Sequence, residues 1–137
     1  MAVKAFFAIL ILFFVAGAVA DATAWLMTKH LAQGIANDAA LQGCRAGIEY
    51  WDYINEGRVR LAEPEAWAKA VEVITNLSPW PNYDYAVYVL PEGGVIPEFS
   101  FSTSRPSVAV AITVPAEGFL FPATIRAFAA SAVEEEY

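Results

Sequence analysis

The residues whose side chains could perform chemistry are few and scattered. The chain has one histidine, His30, and one cysteine, Cys44. A general base or a metal ligand acts with partners at defined spacings, and the carboxylates of this sequence supply no such set. The sequence also lacks a nucleophile elbow, a Walker loop, a GxGxxG turn and an HExxH helix. We therefore expect a protein that is not an enzyme, with no catalytic residue, no cofactor and no metal site.

The composition indicates a chain that buries apolar surface outside a single soluble core. Of its 137 residues, 58% are hydrophobic and only 17% are charged, whereas a soluble domain usually carries about 25% charged residues. The net charge of −7 argues against a nucleic-acid partner, because phosphate binding needs clustered lysines and arginines. We expect the surplus apolar surface to lie in a membrane or against neighbouring subunits.

Residues 1–28 predict an apolar helix that crosses a membrane. Residues 5–20 carry no charge, and a helix from Ala5 to Thr28 would be about 36 Å long, enough for a hydrocarbon core of about 30 Å. Lys4 is the charge on the short side, so we expect the N-terminus in the cytoplasm and the bulk of the chain outside. The alternative is a cleaved secretory signal, with Ala18-Val19-Ala20 as the cleavage site.

The same helix is predicted to continue to Asn55 and to stop at Gly57, so that residues 29–57 extend the membrane segment. Small residues recur along it at four-residue spacings, which let the backbones of neighbouring helices approach closely. Chance spacing in an alanine-rich helix is the alternative. Packing is favoured because glycine in an exposed helix costs up to about 1 kcal/mol relative to alanine. The residues predicted to pack between copies are Ala16, Ala20, Ala24, Ala32, Ala36, Ala40, Gly43 and Gly47.

Asp21 is the acidic residue within the apolar segment, and it allows two interpretations. A carboxylate at membrane depth usually pairs with a positive group, which could be Lys4 or the N-terminal amine of a neighbouring subunit. Alternatively, Asp21 is an interfacial carboxylate at the outer end of the span, or the residue that follows the cleavage site.

Residues 58–137 predict a small outer domain of the α+β class. A short amphipathic helix should run from about Pro64 to Leu77, with Trp67, Val71 and Ile74 on its apolar face. Three segments with a period of two then predict strands of an antiparallel sheet. These segments are residues 83–89, 99–103 and 108–114. Residues 123–133 fit either a helix or a strand, and we favour a fourth strand.

This layout resembles the type IV pilin superfamily, and within it the TadE-like pilins and pseudopilins of tight-adherence systems. The similarity lies in the leader with Lys4, the unbroken apolar helix, the alanine- and glycine-rich residues 31–43 and the late valine-rich residues 107–114. Pilins usually carry a glutamate at the fifth mature position, whereas this chain has Ala5. Either a leader has already been removed from this numbering, or the subunit is processed differently.

The resemblance implies a structural protein, the subunit of an extracellular pilus (fimbrium), with a role in cell adhesion. The implied partners are copies of the chain in a helical polymer, the inner membrane before assembly and the pilus assembly machinery. Two alternatives stay open. One is a membrane-anchored minor pseudopilin or accessory of a Tad-like assembly or secretion machine. The other is a secreted binding domain cleaved after Ala20.

Overall fold

A computed structural model describes residues 2–50, 61–116 and 118–133 of the chain. The elements are α1 (Ala2–Tyr50), α2 (Glu63–Leu77), β1 (Asp84–Leu90), β2 (Gly94–Ile96), one turn of 3-10 helix (Pro97–Phe99), β3 (Phe101–Thr103), β4 (Ser107–Ala116) and β5 (Ala123–Ala132). The predicted α+β class is confirmed: a long N-terminal helix, a short second helix and a small antiparallel sheet. The predicted continuation of the long helix to Asn55 and its stop at Gly57 lie outside the described residues.

α1 is one unbroken helix of 49 residues, roughly 70 Å long at about 1.5 Å per residue. Its sequence contains no proline and is rich in alanine and leucine, which are the residues with the strongest helix preference. In the described part of the chain, it is the one helix that is long and apolar enough to cross a membrane.

The main sheet has three antiparallel strands in the order β1-β4-β5. In the central strand β4, Val110 pairs with Val87 of β1 on one side and with Ala129 of β5 on the other. The strand favoured for residues 123–133 is confirmed, because β5 covers Ala123–Ala132.

The prediction that residues 99–103 form a strand of this sheet is wrong. Only β3 is extended, and it pairs with β2 in a separate two-stranded ribbon. Pro97 begins the 3-10 turn, and Ser100 follows it in the left-handed region with φ of 51°. These two backbone features interrupt the extended run, so that the alternating Phe and Ser side chains do not form one long strand.

The core lies between one face of the sheet and the two helices. β4 supplies alternate side chains to it, and Val108, Val110 and Ile112 are fully buried. From α2, the buried face consists of Ala66, Ala70 and Ile74. The predicted face is confirmed at Ile74, but it was wrong at Trp67, which is 47% exposed, and at Val71, which is only partly buried. The positions of α2 that face α1 are occupied by Ala66 and Ala70, because the two helices approach too closely there for a larger side chain.

The edge strand β5 is covered by α1. Gln33 donates a hydrogen bond from Nε2 to the carbonyl oxygen of Phe128 at 2.7 Å, and Lys29 donates from Nζ to the carbonyl oxygen of Arg126. The ring of Phe128 lies on the opposite face of the sheet, stacked on Phe99 with 4.5 Å between ring centroids. The outer face of β5 is thereby also covered, and the strand offers little free edge for pairing.

Candidate functional site

The N-terminal part of α1 extends beyond the core without contributing to it. Every side chain in residues 2–16, here called the exposed segment, is exposed to solvent. The large apolar side chains of this segment are between 53% and 69% exposed. They are Val3, Phe6, Phe7, Ile9, Leu10, Ile11, Leu12, Phe13, Phe14 and Val15.

This exposure distinguishes α1 from the core helix of a soluble protein. A core helix can be as long and as apolar as α1, but most of its residues are buried. In the apolar window of α1 that qualifies as a membrane span, only 6% of the residues are buried. The chain therefore covers little of this segment, and a contiguous apolar surface of this size marks a contact with a membrane or a protein partner.

Further along α1, the small residues have partners within the chain. Residues 32–47, here called the docked segment, turn one face towards α2 and the sheet, and Ala32, Ala36 and Ala40 are fully buried there. A Cβ atom added at Gly43 would lie 2.9 Å from the carbonyl oxygen of Ala66. The small residues of the docked segment thus allow α2 and the sheet of the same chain to pack closely against α1.

Five of the eight residues predicted to pack between copies belong to this internal contact. A Cβ atom at Gly47 would lie 2.9 Å from Leu61 Cδ2 and 3.1 Å from Ala66 Cβ, and Gly47 itself is buried. In the folded chain these residues are not available to other copies, which corrects the expectation for them. The five are Ala32, Ala36, Ala40, Gly43 and Gly47.

The other three predicted residues are placed differently. Ala16, Ala20 and Ala24 are exposed, and their spacing of four puts them on adjacent turns along one side of α1. Nothing in the described chain covers this row, so its packing against a neighbouring helix stays a prediction.

Asp21 has its hydrogen-bond partners within the chain. Its side chain is 2% exposed, and its carboxylate accepts hydrogen bonds from the backbone N–H groups of Phe119, of Leu120 at 2.8 Å and of Phe121 at 3.0 Å. These donors lie in the loop between β4 and β5, here called the aromatic loop (residues 118–122). The predicted pairing of Asp21 with Lys4 or an N-terminal amine of another subunit is not needed to satisfy the carboxylate, and it stays a prediction.

The sequence analysis missed the aromatic loop as a partner of Asp21. Two signals in the sequence are complementary: a lone carboxylate in an apolar helix needs donors, and the loop Gly-Phe-Leu-Phe-Pro has no polar side chain to bind its own N–H groups. About one hundred residues separate the two, so no local pattern connects them. Only the fold of the sheet along α1 brings them together.

A small cavity lies on the outer face of the sheet, with Tyr88, Glu98 and Phe99 in its wall and a volume of about 170 Å³. Pockets for small ligands usually measure about 300–1,000 Å³. The Tyr88 hydroxyl donates a hydrogen bond to Glu98 Oε2 at 3.2 Å. Burial and the neighbouring Glu98 charge raise the pKa of Tyr88, so the hydroxyl is a protonated donor at neutral pH.

The residues with chemically reactive groups remain apart. His30 is exposed on α1, whereas Cys44 is 3% exposed within the core. Among residues 2–50, 61–116 and 118–133, no three His, Cys, Asp or Glu side chains are grouped so as to hold a metal ion. The structure does bring together the C-terminal end of the exposed segment of α1 and the aromatic loop.

Comparison of the chain with protein-family models, with curated proteins and with solved structures finds no match. The resemblance to type IV pilins therefore rests on the layout of the sequence alone. The function is inferred from the surfaces that the chain itself presents, above all from the exposed segment.

Proposed function

We propose that this protein is the structural subunit of an extracellular type IV pilus-like filament. In this proposal the exposed segment of α1 holds the subunit in the membrane before assembly and packs against copies of itself afterwards. One observation carries it: residues 2–16 are apolar apart from Lys4 and all of them are exposed, while the docked segment of the same helix is packed into the outer domain.

The size of the uncovered surface requires a partner. Ten large apolar side chains in the exposed segment are each more than half exposed. Burying one such side chain fully stabilises a protein by about 1.5–3 kcal/mol, so covering the exposed parts of all ten is worth on the order of 10 kcal/mol. A monomer in water forgoes this stabilisation, whereas lipid or a bundle of similar helices provides it.

The exposed row of Ala16, Ala20 and Ala24 favours other copies as the final partner. Small residues at this spacing let helices pack closely through dispersion contacts. A contact between the helix of one copy and a different side of the next builds an open helical fibre when its rotation does not close into a ring. In such a fibre the α1 helices form the centre and the sheets face outward.

Before assembly, the same segment would be an ordinary membrane anchor. Lys4 would lie at the cytoplasmic surface of the inner membrane, and the outer domain would lie on the other side. Assembly then requires a machinery that extracts the helix from the lipid, because transfer between two apolar environments provides little driving force by itself.

A second candidate is a membrane-anchored minor pseudopilin or accessory of a Tad-like machine, present in few copies. The aromatic loop favours this candidate, since it covers one side of α1 as far down as Phe14. The covered side is not available to neighbouring helices in a fibre. The two candidates differ in the number of copies per cell and in whether the chain polymerises with itself.

Electron microscopy of material sheared from cells tests the proposal. The expected result is thin filaments that consist of this chain, with the intact mass showing residues 2–20 still present. A chain found only as monomers in detergent extracts of the membrane would contradict the filament and favour the accessory. A mature chain that begins at Asp21 would instead indicate a secreted domain.

A further inference from the structure

The aromatic loop presents large apolar side chains that the core does not use. Phe119 is 73% exposed, the highest value among the large hydrophobic residues in the described part of the chain, and Phe121 is 49% exposed. Pro122 follows them, and no residue from Gly118 to Pro122 has a polar side chain. An apolar loop tip of this kind needs an apolar environment.

The loop lies against the exposed segment of α1. The rings of Phe121 and Phe14 make an edge-to-face contact with 6.2 Å between their centroids. A Cβ atom at Gly17 would lie 2.7 Å from Leu120 Cδ1 and 3.3 Å from Phe119 Cδ1. The absence of a side chain at Gly17 therefore lets the loop rest directly on the helix.

The position along α1 gives the depth of the loop. A helix rises about 1.5 Å per residue, so Phe14 lies about 15 Å and Asp21 about 25 Å from Lys4 along the helix axis. The hydrocarbon core of a bilayer is about 30 Å thick. If Lys4 lies at the cytoplasmic surface, the contacts of the loop fall within the half of the bilayer nearer the outer domain.

Three backbone N–H groups of the aromatic loop have hydrogen-bond acceptors within the protein, as a membrane environment requires. Irregular backbone at membrane depth is tolerated only where its polar groups are satisfied within the protein. Asp21 accepts hydrogen bonds from the N–H groups of Phe119, Leu120 and Phe121. A Cβ atom at Gly118 would lie 2.9 Å from the Asp21 carboxyl group, so the loop closes tightly around its acceptor.

We propose that the aromatic loop inserts into the outer leaflet of the membrane that α1 crosses, with Phe119 and Phe121 among the lipid acyl chains. Asp21 holds the loop in this position by binding its N–H groups. The proposal rests on the membrane stage of the proposed function, and that stage is common to the pilin and the accessory. The occupant is lipid rather than a second copy because the loop continues the apolar surface of the span at the same depth.

A fluorescence experiment in vesicles tests the insertion. Phe119→Cys is made in a Cys44→Ala background, so that the full chain carries one thiol, which is labelled with the environment-sensitive dye NBD. The protein is reconstituted at low density into phosphatidylcholine and phosphatidylglycerol vesicles that contain lipids with a quenching doxyl group on the acyl chain. Leu10→Cys is the positive control within the span.

Val95→Cys is the matched negative control. Val95 is also a large apolar residue, it lies in the middle of the short strand β2, and it is 65% exposed. It lies beyond the opposite end of the sheet, because β2 follows the end of β1 where Leu90 pairs with Ser107, whereas the aromatic loop follows the pair Ala116 and Ala123. The ten residues of β4 separate these ends by about 30 Å.

We expect doxyl lipids to quench the label at positions 119 and 10 to a comparable extent and to leave position 95 unaffected. Quenching at position 10 but not at 119 would overturn the loop proposal and leave the anchor intact. Quenching at neither position would overturn the anchor and the loop proposal together. If the NBD emission at position 119 changed on addition of unlabelled chain but not with doxyl lipids, the loop would contact a second copy, and the lipid proposal would be overturned.

The role of Asp21 has its own readout in the same vesicles. Asp21→Ala removes the acceptor of all three N–H groups, so quenching at position 119 should fall while quenching at position 10 is retained. Asp38→Ala, at an exposed carboxylate on the same helix, is the control and should change neither. Unchanged quenching at 119 in Asp21→Ala would contradict the holding role.

Discussion

The two parts of α1 use similar residues for different partners. The exposed segment and the docked segment belong to one continuous helix, and both are rich in small and apolar residues. In the docked segment, Ala32, Ala36 and Ala40 are fully buried by the chain's own helix and sheet. In the exposed segment, the corresponding side chains remain exposed to solvent. Apolar character therefore does not reveal whether a helix face meets its own domain, lipid or another molecule.

Polar residues mark the transition between the two parts. Between residues 21 and 33, α1 first binds the aromatic loop through Asp21 and then the carbonyl groups of β5 through Lys29 and Gln33. On the N-terminal side of Asp21, Gly17 is the only residue of α1 from 2 to 20 that is buried. The outer domain is thus attached to the helix down to a defined level, and the remaining length is free for an external partner.

The largest expected effect comes from filling the close approach in the docked segment. Gly43→Leu places a branched side chain where even a Cβ atom would be 2.9 Å from the Ala66 carbonyl oxygen and 3.1 Å from Ala70 Cβ. We expect a loss of about 3 kcal/mol in the free energy of unfolding of the outer domain. Urea unfolding in detergent, followed by tryptophan fluorescence, measures it.

Gly34→Leu is the matched control for this substitution. A Cβ atom at Gly34 would have no neighbour within 4 Å outside its own helix. The stability should therefore not fall. Equal destabilisation by both variants would mean that the contact between α1 and α2 is not the reason for the glycine at position 43.

A charge in the exposed segment should have a different effect. Leu12 is 68% exposed, so Leu12→Arg should leave the unfolding of the outer domain within about 0.5 kcal/mol of the original. Membrane insertion should become less favourable by about 3 kcal/mol, because arginine near the centre of a span is costly and the leucine contribution is lost. Fractionation of membranes from expressing cells gives the inserted share.

The control for this effect lies on the docked part of the helix. Leu41 is 40% exposed, and Leu41→Arg should leave the inserted share unchanged. If Leu12→Arg reduced the stability of the outer domain instead, the exposed segment would have a partner within the chain, and the contrast between the two segments would be lost.

The smallest expected effect is a difference in stability between alanine substitutions at two glycines of α1. Gly34→Ala should stabilise the protein by about 0.5–1 kcal/mol, because alanine is the better helix former and the added methyl group meets nothing. Gly47→Ala should destabilise it, since the methyl group would lie 3.1 Å from Ala66 Cβ and 2.9 Å from Cδ2 of Leu61, which is itself buried. Thermal unfolding of the two variants in the same detergent measures both signs. The comparison of the segments fails if both variants are stabilised.

The sequence predicted the elements of the fold better than their contacts. Periodicity of two located β1 and β4, and Pro64 marked the first turn of α2, because these are local features of the backbone. β2 has three residues, too few for a period to be visible, and the period of two at residues 99–103 indicated β3 but assigned it to the main sheet. Their separation from the main sheet depends on the 3-10 turn between them.

The contacts of α1 could not be predicted for a different reason. Helical spacing shows which residues share a face, but the partner of that face is chosen by the whole fold. Gly43 and Gly47 were predicted to pack between copies, whereas in the fold the chain's own α2 packs there. A paired carboxylate was one of two interpretations of Asp21, but its hydrogen-bond donors lie in a loop about one hundred residues away.

The most direct test of filament assembly through the exposed part of α1 is photo-cross-linking from two positions of that helix in assembled material. Ala16 and Leu41, which are both exposed, are each replaced by the photoreactive amino acid p-benzoylphenylalanine, and filaments or membranes are irradiated and analysed on denaturing gels. This residue reacts with nearby C–H groups of any type, so the test does not require the same residue of two copies to meet. We expect dimers and higher multimers of the chain from position 16, which lies on the exposed row. Multimers from position 41 alone would show that copies meet through the docked segment, and they would contradict assembly through the exposed row.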